Sequence, residues 1–102
     1  LFARYEIETA LYYMRRGAWV GATERARYAL ESYPESRFKA DAIAVLAESY
    51  TQLGNTALAD SARSELRQVE PGHPWLEGDW PDYPSRLRRL NPFAGEKSAV
   101  DN

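Results

Sequence analysis

Few side chains in this chain could do covalent or metal chemistry. His73 is the only histidine and there is no cysteine. That removes a thiolate nucleophile, every cysteine-based zinc site and a disulfide scaffold. It also leaves no histidine cluster for a metal and makes Ser–His catalysis untenable. Two carboxylate pairs remain, Glu6 with Glu8 and Asp79 with Asp82. Glu6 and Glu8, two apart, point to different sides of a helix, and neither pair has a basic partner at catalytic spacing. The tetrapeptide GEKS at 95–98 is only a scrap of a phosphate-binding loop. His73 itself follows Pro71-Gly72 and reads as an ordinary loop histidine. No catalytic, cofactor-binding or metal-ligating residue is assigned, and the chain reads as non-enzymatic.

What the sequence does offer is arginine. Arg15 and Arg16 stand just before Gly17, Arg25 and Arg27 follow in the next helical stretch, and Arg86, Arg88 and Arg89 form a second group. The totals, 13 Lys plus Arg against 15 Asp plus Glu, give a net charge of −2 and a pI near 5.4, so a nucleic-acid surface is not expected. Arg15 and Arg16 suit the negative end of a helix; their functional reading is a basic edge facing an acidic protein surface. Arg25 has a plain reading too, a solvated cation paired loosely with Glu24 or Glu31. Arg86, Arg88 and Arg89 would suit anionic lipid head groups.

These residues must be positioned by something. With 102 residues, 44% apolar and 13% aromatic, the chain has material for one domain with a core. No apolar run approaches the roughly 20 residues of a membrane-spanning helix. An offset of 37 residues sets Ala10 on Ala47, Tyr13 on Tyr50, Gly17 on Gly54, Ala22 on Ala59 and Pro34 on Pro71. The chain is therefore read as an internal repeat, each copy being two amphipathic helices with a tight turn.

The spacing predicts helices over about 2–15, 18–32, 37–52 and 55–69. Phe2, Tyr5, Thr9, Tyr12 and Tyr13 share a helical spacing in the first. Inner faces are expected at Trp19, Ala22, Ala26, Ala29 and Leu30; at Ala40, Ile43, Leu46, Ala47 and Tyr50; and at Leu58, Ala59, Ala62 and Leu66. Gly17 and Gly54 end their helices, Pro34 stops the second, and Ser36 is expected to cap the third. Alanine where helix axes approach lets them pack closely. Repeats are assigned to 2–34 and 36–70. The remainder, 71–102, is rich in Pro and Trp and is expected to be irregular to about 84 and disordered after about 94. Trp75 is expected to fold back over the fourth helix as a cap; Trp80, Tyr83 and Phe93 either do the same or await a partner.

Small residues at fixed points, a late aromatic in the first helix, Gly at the turn and Pro at the end resemble the tetratricopeptide repeat. The fold class is all-α, an α-solenoid of tandem repeats with an irregular C-terminal tail. The segment YYMRRGAWVGATERARYALESYP, and DAIAVLAESYTQLGNTALADSA after it, resemble the last two repeats of the BamD (ComL-type) lipoproteins of the outer-membrane β-barrel assembly machine. The resemblance covers about 2–69 and leaves the tail outside the shared part. It implies a five-repeat scaffold, lipid-anchored to the periplasmic side of the outer membrane through an N-terminal cysteine outside this chain. Its implied partners are a POTRA domain of BamA and other lipoproteins of the machine. Arg25 matches a family position that contacts BamA, and Arg15 and Arg16 are expected beside it.

A second reading is an adaptor gripping an extended peptide in a concave groove lined by Arg4, Leu11, Met14 and Arg15, then Asp41, Glu48 and Gln52. The mixed charge argues against a carboxylate clamp, and the RRGAWV segment favours the assembly lipoproteins. The chain opens in mid-pattern and reads as part of a longer protein. Two repeats are fewer than the roughly three usually needed for independent stability. The Phe2–Tyr5 face is therefore expected to be bare, and the chain stabilised by its tail, by self-association, or by both.

Overall fold

The computed structural model of the chain describes residues 2–79. Four α-helices of equal length run in series: α1 (Phe2–Arg15), α2 (Trp19–Ser32), α3 (Lys39–Gln52) and α4 (Thr56–Val69), followed by a 3-10 turn, Pro74–Glu77. No strand occurs among the described residues. Both helix pairs are related by the same 37-residue shift that relates their sequences. Each helix packs on the next in the chain, and α1 also touches α3.

The turns follow from glycine. Gly17 and Gly54 sit at φ +73° and +80°, a left-handed conformation that is cheap only for glycine. At both, backbone bonds close the helix end, Gly17 N–H to Met14 O and Ala18 N–H to Tyr13 O, then Gly54 N–H to Thr51 O and Asn55 N–H to Tyr50 O. Asn55 caps α4 by accepting from Leu58 N–H at 3.2 Å. Ser36 caps less directly than its spacing suggests. Its hydroxyl accepts from Phe38 N–H at 3.0 Å, holding a turn, and α3 begins only after Phe38, whose ring is buried.

The core is built from small residues. Alanines 10, 22, 26, 40, 42, 44 and 47 lie at the helix crossings, with Ile7, Leu11, Met14, Phe38, Ile43, Val45 and Leu66 filling between them. Helix α3 is buried on most of its circumference because three helices surround it. That is more than its expected inner face: Ala42, Ala44, Val45, Asp41 and Ser49 are also buried, while Leu46 and Tyr50 are only half-buried. Leu58 is a correction, 44% exposed rather than inside. The α1 face expected to be bare is bare: Phe2, Tyr5 and Tyr12 are 66%, 61% and 48% exposed. The expectations for Trp80, Asp82, Tyr83, Arg86, Arg88, Arg89, Phe93 and GEKS fall outside the described residues.

Candidate functional site

Two places gather the polar and aromatic side chains that the core does not use. The first is the α1–α2 face. Glu6 is buried on α1 and its Oε1 accepts from the Arg25 guanidinium of α2 at 3.3 Å. Arg25 therefore pairs across the helix pair, not with Glu24 or Glu31. Hydrogen bonding to Tyr13, and then the charge of Glu6, push the Arg25 pKa up from its ordinary value. The Arg25 side chain as a whole keeps 43% of its surface open. Glu8 faces elsewhere, 3.9 Å from Arg4, as its spacing from Glu6 requires.

Arg15 and Arg16 lie at the exposed C-terminal end of α1. Arg16 donates to the Tyr12 hydroxyl at 3.4 Å and lies over that ring at 5.6 Å. Arg25 does not join them at the turn. It stands level with Glu6, nine residues before Arg15, which is roughly 13 Å along a helix at 1.5 Å per residue. Nine residues are also two and a half helical turns, so Arg15 projects from the opposite side of α1 to Glu6, and the three arginines do not form one cluster.

The second place is where the chain returns over α3 and α4. His73 is fully buried, not an ordinary loop histidine, and its Nε2 is 2.8 Å from Oδ1 of the equally buried Asp41. Its Nδ1 accepts from Trp75 N–H at 3.1 Å. A neutral ring then carries its proton on Nε2, which donates to Asp41. The Trp75 indole N–H donates to Glu48 Oε1 at 2.9 Å, and the Arg63 guanidinium lies over its ring at 5.1 Å. Trp75 folds back as expected, but onto α3 as well as α4.

This arrangement engages the α3 side chains that the peptide-adaptor reading needs. Asp41 and Glu48 are engaged by the chain's own His73 and Trp75, and Gln52 donates to Glu48 at 2.8 Å. In the first repeat Leu11 and Met14 are core residues at 2% and 4% exposure, not groove lining. Among the described residues no group of His, Asp or Glu is placed to hold a metal ion, and no helix is long and apolar enough to cross a membrane.

The helices, their glycine turns and their 37-residue relation define a tandem of tetratricopeptide-like helical repeats. Residues 1–66 match the family described as YfiO, outer membrane lipoprotein. Two relatives from Xylella fastidiosa are named outer membrane protein assembly factor BamD: that of strain 9a5c is 59% identical over 100 residues and that of strain Temecula1 58% over 101, each match covering 98% of this chain and 34% of the relative. The protein of that name from Neisseria meningitidis serogroup A is 37% identical over 75 residues, covering 74% of this chain and 28% of its own length. No solved structure matches significantly. The chain belongs to the YfiO/BamD family of outer-membrane lipoproteins and spans about a third of the length of the two Xylella relatives. The family model ends at residue 66, whereas the match to the Xylella proteins runs on through the tail.

Proposed function

We propose that this chain is the scaffold part of an outer-membrane protein assembly factor, and that it docks on a POTRA domain of the barrel-forming subunit BamA at the periplasmic face of the outer membrane. Two repeats, 2–34 and 36–70, present the docking face, and Arg25, Arg15 and Arg16 carry the contact. The observation that carries the reading is Arg25: it is tied to Glu6 across the helix pair, so its orientation is set before any partner arrives, yet its side chain stays partly open to solvent. A pre-oriented cation on a protein-binding face gives specificity and on-rate more than raw affinity. The role is non-catalytic, other lipoproteins of the machine are further partners, and the lipid anchor is an N-terminal one outside this chain.

The test is an NMR titration of the labelled chain with the last POTRA domain of BamA from the same organism. Shifts should cluster on the α1–α2 face around Arg25, Arg15 and Arg16. Shifts confined to α3, α4 and the 73–79 segment would refute the docking face.

A further inference from the structure

Two units built on one plan let each serve as the control for the other. On α2, Gly21, Arg25 and Tyr28 are spaced i, i+4, i+7 and share one side of the helix. The 37-residue shift sets them on Leu58, Ala62 and Glu65 of α4, and sets Glu6 of α1 on Ile43 of α3. Ile43 and Ala62 are buried, at 0% and 6% exposure. The fold therefore asks for no ion pair at this place, yet the first unit puts Glu6 and Arg25 there. Nor does it ask for a ring at position 28, whose counterpart is the exposed Glu65.

The openness of this strip does not depend on what packs on α1. Helices α1 and α2 pack against α3, and still Leu58 is 44% exposed, Glu65 is exposed and Tyr50, the counterpart of Tyr13, is only half-buried. In the first unit two tyrosines border Arg25 along the strip. The Tyr13 ring lies against α2 at Gly21, where even a Cβ would meet it at 3.4 Å. One turn beyond Arg25, Tyr28 is 49% exposed and its ring stands edge-on to Tyr33, with centroids 6.5 Å apart.

We infer that Tyr28 is a further contact residue of the docking site, forming with Tyr13 an apolar rim around Arg25 that fits a partner carboxylate set among apolar side chains. This rests on the docking reading above, and the occupant is the same POTRA domain. Arginine and tyrosine are among the residue types that carry most binding energy when their neighbours exclude water from them. An ion pair left in open water would add little. A rim that removes water from the pair also protects it from salt, because buried pairs are screened less than exposed ones. Helix α4 carries neither the cation nor the ring at these positions, so the site belongs to the first unit alone.

The test is calorimetric titration of the last BamA POTRA domain into the whole 102-residue chain at low and high salt, with circular dichroism alongside. Tyr28→Ala should weaken binding by on the order of tenfold and make affinity fall more steeply with salt. Tyr28→Phe should bind as the parent does, since the rim acts through the ring. Arg25→Ala keeps two failures apart. If it weakens binding while Tyr28→Ala binds like the parent, the rim is overturned and the docking reading stands. If Arg25→Ala binds like the parent, or the parent does not bind, the docking reading falls and takes the rim with it. A salt slope unchanged in Tyr28→Ala overturns the rim. So does loss of helix in that variant, because the ring would then serve the fold, as Glu65 at the matching position does not.

Discussion

His73 and Asp41 show how one residue pair fixes a segment that has no local reason to be ordered. Pro71-Gly72 looks like a break, and nothing within that stretch says that the next side chain is buried; its partner lies 32 residues back. A signal was available. Asp41 interrupts the apolar run KADAIAVLA, and a carboxylate on a buried helix demands a partner. The same shift that pairs the repeats sets His73 on Ser36, whose side chain also serves the backbone two residues on. Removing one member of such a pair strands the other, so His73→Ala should cost about 3–5 kcal/mol of stability. Urea unfolding followed by Trp fluorescence reads this directly. Asp41→Ala should cost a similar amount, and the double variant less than the sum. Additive losses would mean that the two side chains act independently.

Arg25 was legible as a functional candidate only through its family resemblance; spacing alone suggested a solvated cation. Its partner was misread because Glu24 and Glu31 are near in sequence, whereas Glu6 is near across the helix pair. Arg25→Glu should lower the melting temperature more than Arg25→Gln, because it sets two carboxylates face to face beside a half-buried helix seam. Equal losses from the two substitutions would remove Glu6 from the account.

At the scale of elements, the helices were legible nearly to the residue. Glycine and proline punctuate the chain, and expected spans of 2–15, 18–32, 37–52 and 55–69 became 2–15, 19–32, 39–52 and 56–69. The late start of α3 comes from Phe38, whose burial requires the extra turn that Ser36 holds. Leu58 was misplaced because α4 packs on α3 by one side only: Ala59, Ala62 and Leu66 take that side, and Leu58 lies off it. Two glycines should behave oppositely. Gly17→Ala forces an L side chain into the left-handed region and should destabilise by about 1–2 kcal/mol, although open space surrounds it. Gly21 lies within α2, where an added Cβ meets the Tyr13 ring at 3.4 Å, an ordinary contact. Gly21→Ala should therefore stabilise by up to about 1 kcal/mol through helix propensity. Thermal melts of the two variants decide it; a loss at Gly21 would mean that the Tyr13 ring cannot accommodate the methyl.

Across the whole molecule the two outer faces differ. Helix α1 presents Phe2, Tyr5 and Tyr12, while the outside of α4 is mostly polar, with Asp60, Ser61, Ser64, Glu65, Arg67 and Gln68 beside the aliphatic Leu58 and Val69. An aromatic row in water calls for a cover, and a polar face does not. Between them α3 is enclosed, so its amides from Ile43 to Ala47 should exchange with solvent most slowly; slower exchange in α4 would displace α3 as the centre of stability. The enclosure was only partly readable, because KADAIAVLAESY alternates too little for one helix face to stand out.

The central claim is that Arg25 reaches outward to a POTRA domain and is not merely a strut for Glu6. Calorimetric titration of the last BamA POTRA domain into three chains separates the two roles: the parent, Arg25→Glu, and the swap Glu6→Arg/Arg25→Glu. The swap restores the internal pair but leaves a carboxylate at the open position. The account predicts that Arg25→Glu weakens binding by on the order of tenfold and that the swap recovers thermal stability without recovering affinity. Parent-level affinity in the swap would contradict it, because Arg25 would then act only through the fold.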